Sequence, residues 1–190
     1  MQDKTVGFAL CGSFCTLSRV LEEITALKSL GADVVPIMSE AVWSTDTRFG
    51  TAEHFKTEVE RLTGHGIIHD IKGAEPIGPK KLLDILVIAP CTGNTLAKLA
   101  SGITDSSVTM AAKAHLRNER PVVIAVSTND ALATAAKNIG TLLSMRNCYF
   151  VPFAQDAPFS KTRSCVADFS LIPQTVSDAL SGVQLQPMIL

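Results

Sequence analysis

The stretch Ala89-Pro-Cys-Thr-Gly-Asn-Thr-Leu-Ala-Lys-Leu-Ala-Ser-Gly-Ile-Thr-Asp105 decides the fold, because it predicts a tight turn and a helix directly after a strand. The preceding residues, 84–89, form an apolar run typical of a strand buried on both faces. Leu96, Leu99 and Ala100 then recur at helical spacing. Open α/β sheets bind ligands at such a place, outside the carboxyl end of a strand and against the N-terminus of a helix.

The rest of the chain repeats this alternation of strand and helix. Short apolar runs predict further strands, and apolar residues at helical spacing predict longer helices between them. Such β-α-β units cross over right-handedly and build a mostly parallel sheet with helices on both faces, so we predict a three-layer α/β/α architecture. The predicted strands are residues 5–10, 33–38, 84–89, 121–126 and 148–151, and the predicted helices after the first strand are residues 17–30, 51–62, 106–117, 131–145 and 172–180.

Composition favours one globular domain over residues 1–190, since 190 residues can bury a full core and 46% of them are hydrophobic. A net charge of -1, with Lys and Arg scattered, gives no basic stripe for nucleic acid, so we expect no nucleic-acid partner. The start, Met1-Gln2-Asp3-Lys4, lacks the regions of a signal peptide, and no apolar run reaches the roughly 18 residues that span a membrane. We therefore expect a cytoplasmic protein without membrane contact.

The five cysteines, at positions 11, 15, 91, 148 and 165, show neither a disulfide framework nor metal-ligand spacing. Cys11 and Cys15 are separated by three residues rather than two, and the four histidines also lack ligand spacing. We expect no structural disulfide and no metal site. A chemical role for a thiol remains open at Cys91 and Cys165.

Small and hydroxyl side chains follow several of the predicted strands. Gly12-Ser13 comes after the first strand, Ser39 after the second, and residues 127–129 (Ser-Thr-Asn) after the fourth. Because the carboxyl ends of parallel strands share one edge of a sheet, these turns should line one cleft. Their neutral donors suit a planar, phosphorylated ligand such as flavin mononucleotide (FMN), whereas Phe14 and Thr16 break the G-x-G-x-x-G pattern of dinucleotide sites.

Each of these interpretations has a plainer alternative. An ordinary strand-to-helix turn would also explain Gly12-Ser13, and helix capping would explain Asn94 and Asn129. Trp43 and Phe49 follow the second strand, where they would cover a flavin ring or pack beneath a loop. The residues alone leave these alternatives open.

The run from Ala89 to Asp105 resembles the Pro-Ala-Ser-Ala-Asn-Thr segment of the homo-oligomeric flavin-containing cysteine decarboxylase superfamily, here Pro90-Cys91-Thr92-Gly93-Asn94-Thr95. Residues 10–13 resemble the same superfamily, and residues 111–121 resemble its flavin prenyltransferase branch. Together with residues 126–132 (Val-Ser-Thr-Asn-Asp-Ala-Leu), these segments are most similar to a branch from spore-forming bacteria that makes pyridine-2,6-dicarboxylate.

This resemblance implies a Rossmann-like, doubly wound sheet of order 3-2-1-4-5-6 and a homo-oligomer that is a trimer or a multiple of trimers. It further implies bound FMN and a separate partner subunit carrying NADP, which together oxidise a dihydro- or tetrahydrodipicolinate-derived precursor in the mother cell of a sporulating bacterium. An FMN-dependent decarboxylase, a flavin prenyltransferase and a non-catalytic scaffold subunit remain alternatives. The residues expected to bind the cofactor are Gly12, Ser13, Phe14, Ser39, Pro90, Cys91, Thr92, Asn94, Thr95, Ser127, Thr128 and Asn129.

The departures from the resemblance concern the catalytic residues. The decarboxylases have a catalytic histidine a short way before the proline of the cofactor motif, where this chain has Pro76-Ile77. His65 and His69 lie nearby, and a loop insertion would make one of them the equivalent, so His69 is a catalytic candidate. The decarboxylase Pro-Ala-Met-Asn turn is replaced by residues 126–129, which keep only Asn129, and the arginine that prenyltransferases carry there is absent.

Residues 154–168 are polar and irregular, which predicts a surface flap near the site. Cys165 lies where the decarboxylase family has a flap containing a cysteine, and it is the second catalytic candidate. Lys161 and Arg163 would pair with a dicarboxylate and lower the pKa of this thiol. With Asn129, they are the expected substrate-binding residues, and a solvated loop with an incidental cysteine is the alternative.

Overall fold

The computed structural model describes residues 1–190, and strands alternate with helices along most of the chain. Single 3-10 turns precede α1 and α8, and a third follows α4. The strands are β1 (Thr5–Leu10), β2 (Asp33–Met38), β3 (Ile85–Cys91), β4 (Val122–Thr128), β5 (Cys148–Phe150), β6 (Phe153–Ala154) and β7 (Cys165–Ala167). The helices are α1 (Leu17–Ser29), α2 (Glu40–Ser44), α3 (Ala52–Thr63), α4 (Ile71–Ala74), α5 (Gly93–Ala100), α6 (Ser107–Leu116), α7 (Ala136–Leu143) and α8 (Ile172–Leu180).

Five parallel strands form the body of the sheet, and all five are predicted by the sequence. β1 pairs with β2 on one side and with β3 on the other, and β4 pairs with β3 and β5. Every residue of β3 is buried, and β1 and β4 are buried except at one end residue each. Helices flank the sheet, which explains why these strands are apolar throughout rather than alternating. The three-layer, Rossmann-like architecture is therefore confirmed.

A sixth parallel position exists at the edge beyond β2, reduced to one residue. Ile68 bridges to Ile37 in parallel, its N–H donates to the Pro36 carbonyl at 3.0 Å, and its carbonyl accepts from the Met38 N–H at 2.8 Å. Counting Ile68 as the third strand gives the order 3-2-1-4-5-6 that the resemblance implies. His69 follows Ile68 and therefore lies at the carboxyl edge of the sheet.

An antiparallel ribbon, which the sequence analysis missed, makes the sheet mixed. The outer edge of β4 is shared, because residues 122–124 pair with β5 while Ser127 and Thr128 pair antiparallel with β7. β7 in turn pairs with β6. Since β7 joins β4 at its carboxyl end, residues 155–164 between β6 and β7, hereafter the flap, lie at the edge where the polar turns converge.

Two predicted segments differ from the structure. The helix predicted over residues 131–145 is too long: α7 begins at Ala136, because the N–H groups of Ala133 and Ala135 both turn back to the Asp130 carbonyl. The Leu132 N–H donates to the Arg163 carbonyl at 3.0 Å and so ties this turn to the flap. Before β3, the Gly- and Pro-rich residues 72–79, which predict no helix, include most of α4 and a 3-10 turn.

One cluster of 47 buried apolar residues forms the core. Gly7, in the middle of β1, faces two of its members: a Cβ placed there would lie 2.4 Å from Leu83 Cδ1 and 3.0 Å from Leu86 Cδ1. Both leucines are almost completely buried, so neither has free space to move into. None of the helices combines the length and apolar character needed to cross a membrane.

We expect Gly7→Ala to lower the free energy of unfolding by about 1–3 kcal/mol, because the added methyl group overpacks the core between β1 and β3. The measurement is equilibrium denaturation by urea. Gly140→Ala is the control: nothing lies within 4 Å of its added Cβ, and alanine in α7 should stabilise by about 0.5–1 kcal/mol. Equal midpoints for the two variants would contradict the tight packing at Gly7.

Candidate functional site

A cleft of about 1010 Å³ opens at the carboxyl edge of the sheet, between the strand-to-helix turns and the flap. The turns after β1, β3 and β4 all contribute to it, as the parallel arrangement predicts. Of the residues expected to bind the cofactor, eight line this cleft: Gly12, Ser13, Phe14, Thr92, Asn94, Ser127, Thr128 and Asn129. Ser39, Pro90, Cys91 and Thr95 do not line it.

Three hydroxyl groups join the turn after β1 to the end of β4. Ser13 Oγ and Ser127 Oγ are 2.9 Å apart, and Thr16 Oγ1 lies 3.1 Å from Ser13 Oγ and 3.4 Å from Ser127 Oγ. Thr16 also donates to the Ser13 carbonyl at 2.8 Å, which fixes its orientation. Hydroxyl groups can donate or accept, so this cluster can present donors to an anionic or a polar ligand without carrying charge.

The turn after β3 is held by threonines. Thr92 caps α5, accepting from the Thr95 N–H at 3.3 Å, and Thr95 Oγ1 lies 3.4 Å from Cys11 Sγ. Thr95 and Cys91 therefore form the buried floor behind the cleft rather than its surface. Burial raises the pKa of Cys11 to about 11 and that of Cys91 well above its usual value, so neither thiol is a ready nucleophile.

The N-terminus of α5 already has an anion beside it. A Cβ on Gly93 would lie 2.8 Å from Asp130 Oδ1 and 2.8 Å from Thr128 Oγ1, so only glycine allows this approach. Thr128 Oγ1 also donates to Asp130 Oδ1. The Asp130 carboxylate thus receives the favourable field of the helix N-terminus, and a ligand phosphate would be repelled there. A phosphate fits the turn at Gly12-Ser13 better than the start of α5.

Asn94 and Asn129 point to a ligand more than to local structure. Thr92, not Asn94, caps α5, and α7 begins well after Asn129, so neither asparagine is a helix cap. Neither side-chain amide makes a hydrogen bond within the chain, although both residues line the cleft. An amide offers two donors and an acceptor, which matches the alternating polar edge of a planar heterocycle.

Ser39 provides the clearest sign of a missing partner. It stands at the N-cap of α2, yet its Oγ caps nothing and is buried without any hydrogen-bond partner. Its N–H donates to the Leu10 carbonyl at 3.0 Å, which places it beside the turn after β1. Gly12 packs against the same helix, since a Cβ there would lie 3.2 Å from Ala41 Cβ. An unsatisfied buried hydroxyl costs about 1–3 kcal/mol, a cost that a bound oxygen-rich group would remove.

Charged residues enter the cleft from α1 and the flap. Lys161 lines it and pairs with Asp156 at 3.0 Å, whereas Arg163 is exposed and lies outside the lining. Arg19, on α1, is a cleft cation that the sequence analysis missed. The hydrogen bond from Ser164, together with that from Lys161, lowers the pKa of Asp156 below its usual value. Asp156 is therefore an ionised anchor for the flap and a weak base.

The expectation that basic neighbours lower the pKa of Cys165 is wrong. β7 turns this side chain inward, where it is 3% exposed and outside the cleft lining. Burial raises the pKa of the thiol, and the nearby Asp156 carboxylate raises it further. Cys15 is the exposed cysteine, and it lines the cleft.

His69 is held by stacking rather than aimed into the cleft. Its ring lies 3.8 Å from the Trp43 ring between centroids, at an interplanar angle of 21°, and Lys56 covers the Trp43 ring at 4.6 Å. Neither His69 nor Trp43 lines the cleft, whereas Phe49 does. His65 lies further away in the fold, bound to Asp33 at 2.7 Å at the amino end of β2. No histidine therefore reaches the cleft surface.

Sequence reasoning missed several cleft residues. Gly93 and Asp130 are part of the quoted motifs, yet only the parallel register brings them together. Arg19 belongs to no motif, although its position in the first helical turn after Gly12-Ser13 indicates that it lies near the cleft. The remaining unpredicted lining residues are Cys15, Thr16, Asp156, Ser164 and Val166.

Comparison with known proteins gives a consistent result. The sequence model of a family described as Flavoprotein matches residues 1–172. The dipicolinate synthase subunit designated B of Bacillus subtilis (strain 168) is 49% identical over 189 residues, covering 100% of this chain and 94% of that protein. The crystal structure of the corresponding dipicolinate synthase subunit from Bacillus halodurans matches with a TM-score of 0.92 and 45% identity, covering 100% and 97% of the two chains. The FMN-dependent cysteine decarboxylase SpaF matches with a TM-score of 0.69 and 23% identity over 93% and 97%, a likeness of fold alone.

We expect one of the five cysteines, Cys15, to react rapidly with Ellman's reagent at pH 8 in the folded protein. Cys11, Cys91 and Cys165 are buried, and burial raises the pKa of Cys148 to about 11, so the reactive thiolate form of these four is scarce. The measurement is the amplitude of the fast phase, compared with total thiol after denaturation. Cys15→Ser should abolish the fast phase; its persistence would show another accessible thiol.

Proposed function

This chain belongs to the flavoprotein family, and we propose that it binds FMN in the cleft and acts as the flavin-binding subunit of a dipicolinate synthase. Its partner would be the second dipicolinate synthase chain, designated A and carrying NADP, and its product pyridine-2,6-dicarboxylate, formed in the mother cell cytoplasm during sporulation. We further propose a single-domain subunit that assembles as a trimer or a multiple of trimers. Full-length similarity to the two Bacillus dipicolinate synthase proteins supports the pathway. The unpaired Asn94 and Asn129 amides in the cleft and the buried Ser39 hydroxyl behind its lining support the flavin.

The observation that carries the flavin assignment is the buried Ser39 hydroxyl without a partner. This hydroxyl lies beside the Gly12-Ser13 turn. Because Gly12 has no Cβ, the turn can approach α2 closely. With the Ser13 hydroxyl, this arrangement offers neutral donors to a phosphate group at the β2 side of the cleft. The Asp130 carboxylate keeps a phosphate away from α5, so both observations favour the same position.

The remainder of the cleft fits the ring system of a flavin. Asn94 and Asn129 offer unpaired amides, and Phe14 and Phe49 offer apolar surface, with Phe49 43% exposed. A ligand that covers Phe49 would remove that surface from water. A bound flavin supplies a two-electron acceptor, and the chain's own residues bind it, orient it and exclude water.

The proposed reaction would remove one hydride and one proton from a dihydropyridine dicarboxylate. The nicotinamide proposed for the partner would supply the final hydride acceptor, and the proton would pass to water or to a carboxylate of the cleft. Asn129 and Lys161 would hold the precursor, with the flap covering it. Cleft carboxylates, Asp130 and Asp156, are the groups of this chain able to take a proton, and both already accept hydrogen bonds. We therefore propose that binding and orientation are this subunit's main contribution.

A decarboxylase is the second candidate, and His69 is the observation relevant to it. This residue follows the edge strand at Ile68, a position compatible with the family histidine after an insertion that contains α4. Its stacking on Trp43 and its absence from the cleft lining weigh against a catalytic role. His69→Ala should therefore leave catalytic activity unchanged, a result that would remove the best remaining base of a decarboxylase.

Asn94→Asp tests the flavin position. The new carboxylate would stand in the cleft with Asp130 and would replace an amide donor by a charged acceptor, so we expect FMN to bind at least about tenfold more weakly. The measurement is quenching of FMN fluorescence on titration with protein. Asn138→Asp, on α7 outside the cleft, is the control and should bind like the unmodified chain.

FMN should also slow the labelling of Cys15, which lines the cleft. An unchanged FMN affinity in Asn94→Asp, together with unprotected Cys15, would contradict the proposed position. No FMN binding by the unmodified chain would support the scaffold alternative instead.

Ser39→Ala tests whether Ser39 contacts the phosphate of FMN rather than its ring system. We expect FMN affinity to fall about tenfold and riboflavin affinity to stay the same, because riboflavin lacks the phosphate. Without flavin, the melting temperature should be unchanged or higher, since the substitution removes an unsatisfied buried hydroxyl. Ser44→Ala, which removes an exposed hydroxyl from the same helix, should alter neither affinity. Equal losses for FMN and riboflavin would refute a phosphate contact.

A further inference from the structure

Four charged side chains line the cleft: Arg19, Asp130, Asp156 and Lys161. Three of them are compensated within the chain. Lys161 and Asp156 form an ion pair at 3.0 Å, and Asp130 accepts from Thr128 beside the N-terminus of α5. No carboxylate lies within 4.0 Å of Arg19, so it is the cation of the cleft that forms no ion pair, although Asp156 and Asp168 line the smaller groove with it.

Arg19 is nevertheless held in place. It belongs to the first turn of α1, and its guanidinium lies 5.2 Å from the centroid of the Phe169 ring, which is buried. A cation over an aromatic face is attracted to it, and a planar guanidinium can stack there while keeping its N–H groups free. The guanidinium therefore presents its donors in a restricted orientation without a protein acceptor.

Arg19 lies where the main cleft meets a second depression in the surface. Together with Asp156 and Val166, it lines both the main cleft and a smaller groove of about 310 Å³. Arg19 also follows the Gly12-Ser13 turn by one helical turn, since α1 begins at Leu17. The test below therefore has to distinguish a carboxylate held by Arg19 from a phosphate.

We propose that Arg19 binds a carboxylate of the substrate and selects for a dicarboxylate. Arginine pairs bidentately with carboxylates, and an unmatched, pre-oriented guanidinium loses little freedom in doing so. This role is the one that the sequence analysis gave to Arg163, which the structure places outside the cleft. The identity of the substrate in this assignment rests on the proposed function. The assignment adds the residue that binds the negative charge of the substrate.

The test measures binding of pyridine-2,6-dicarboxylate to the full chain by calorimetry, with pyridine-2-carboxylate as the monocarboxylate probe. We expect Arg19→Gln to weaken dicarboxylate binding about ten- to a hundredfold and to bring the two affinities close together. Arg19→Lys should retain part of the affinity, because it keeps the charge but loses the bidentate geometry. Arg146→Gln is the matched control, since Arg146 is exposed in the turn before β5 at the amino edge of the sheet.

FMN and riboflavin titrations of the same variants separate this inference from the proposed function. Unchanged FMN affinity in Arg19→Gln, with weakened dicarboxylate binding, supports the assignment and shows that the variant is folded. Undiminished dicarboxylate binding in Arg19→Gln overturns it while leaving the flavin proposal intact. Weakened FMN with unchanged riboflavin overturns it as well, by showing that Arg19 holds a phosphate. Failure of the unmodified, FMN-loaded chain to bind the dicarboxylate also overturns it.

Discussion

The parallel register of β2, β1, β3 and β4 is the constraint on which the site depends. Each of these strands pairs in parallel with its neighbours, so every return of the chain is made by a crossover and every carboxyl end reaches the same edge. Residues far apart in sequence meet there, as Ser13 and Ser127 do at 2.9 Å. Because the strands are buried on both faces, only the residues just beyond their ends are free to be polar. The cleft is thus a direct result of how the core is built.

Close convergence of several turns also requires small residues. Gly12 allows the turn after β1 to contact α2, and Gly93 allows Thr128 and Asp130 to reach the start of α5. Neither glycine has a left-handed φ, so their role is close approach rather than backbone freedom. A side chain at either position would push apart elements that the parallel register brings together. The small residues of the sequence motifs are therefore explained by packing before any ligand is considered.

The sequence predicted the parts of this structure that depend on local periodicity. The five parallel strands and helices such as α1 and α6 follow from continuous apolar runs and helical spacing. The antiparallel ribbon was missed because β6 and β7 have only two and three residues, too few to show a period. The start of α7 was missed because the turns before it depend on the Asp130 carbonyl and on the flap.

The candidate site was predictable to the same extent. Residues that directly follow a strand, such as Ser13 and Asn94, were found because the end of a strand fixes their location. Arg19 and Asp156 were not, since a helix or flap side chain reaches the cleft only through tertiary packing. Arg163 and Cys165 were predicted to act at the site, but neither lines the cleft. They flank Ser164, whose side chain reaches the cleft, yet one is exposed and the other is turned into the core.

The distribution of charge indicates what kind of chemistry the cleft can support. Its hydroxyls come from the turns after β1, β3 and β4 and from the flap, its cation without an ion pair lies on the first turn of α1, and its carboxylates are already engaged by Thr128 and Lys161. Hydrogen bonding keeps the pKa of Asp156 low, and no histidine lines the cleft, so strong general bases are lacking there. Such a site binds and orients anionic, planar ligands better than it moves protons. That balance suits a subunit that shares its reaction with a partner, because orientation is a contribution that one chain can make while another completes the chemistry.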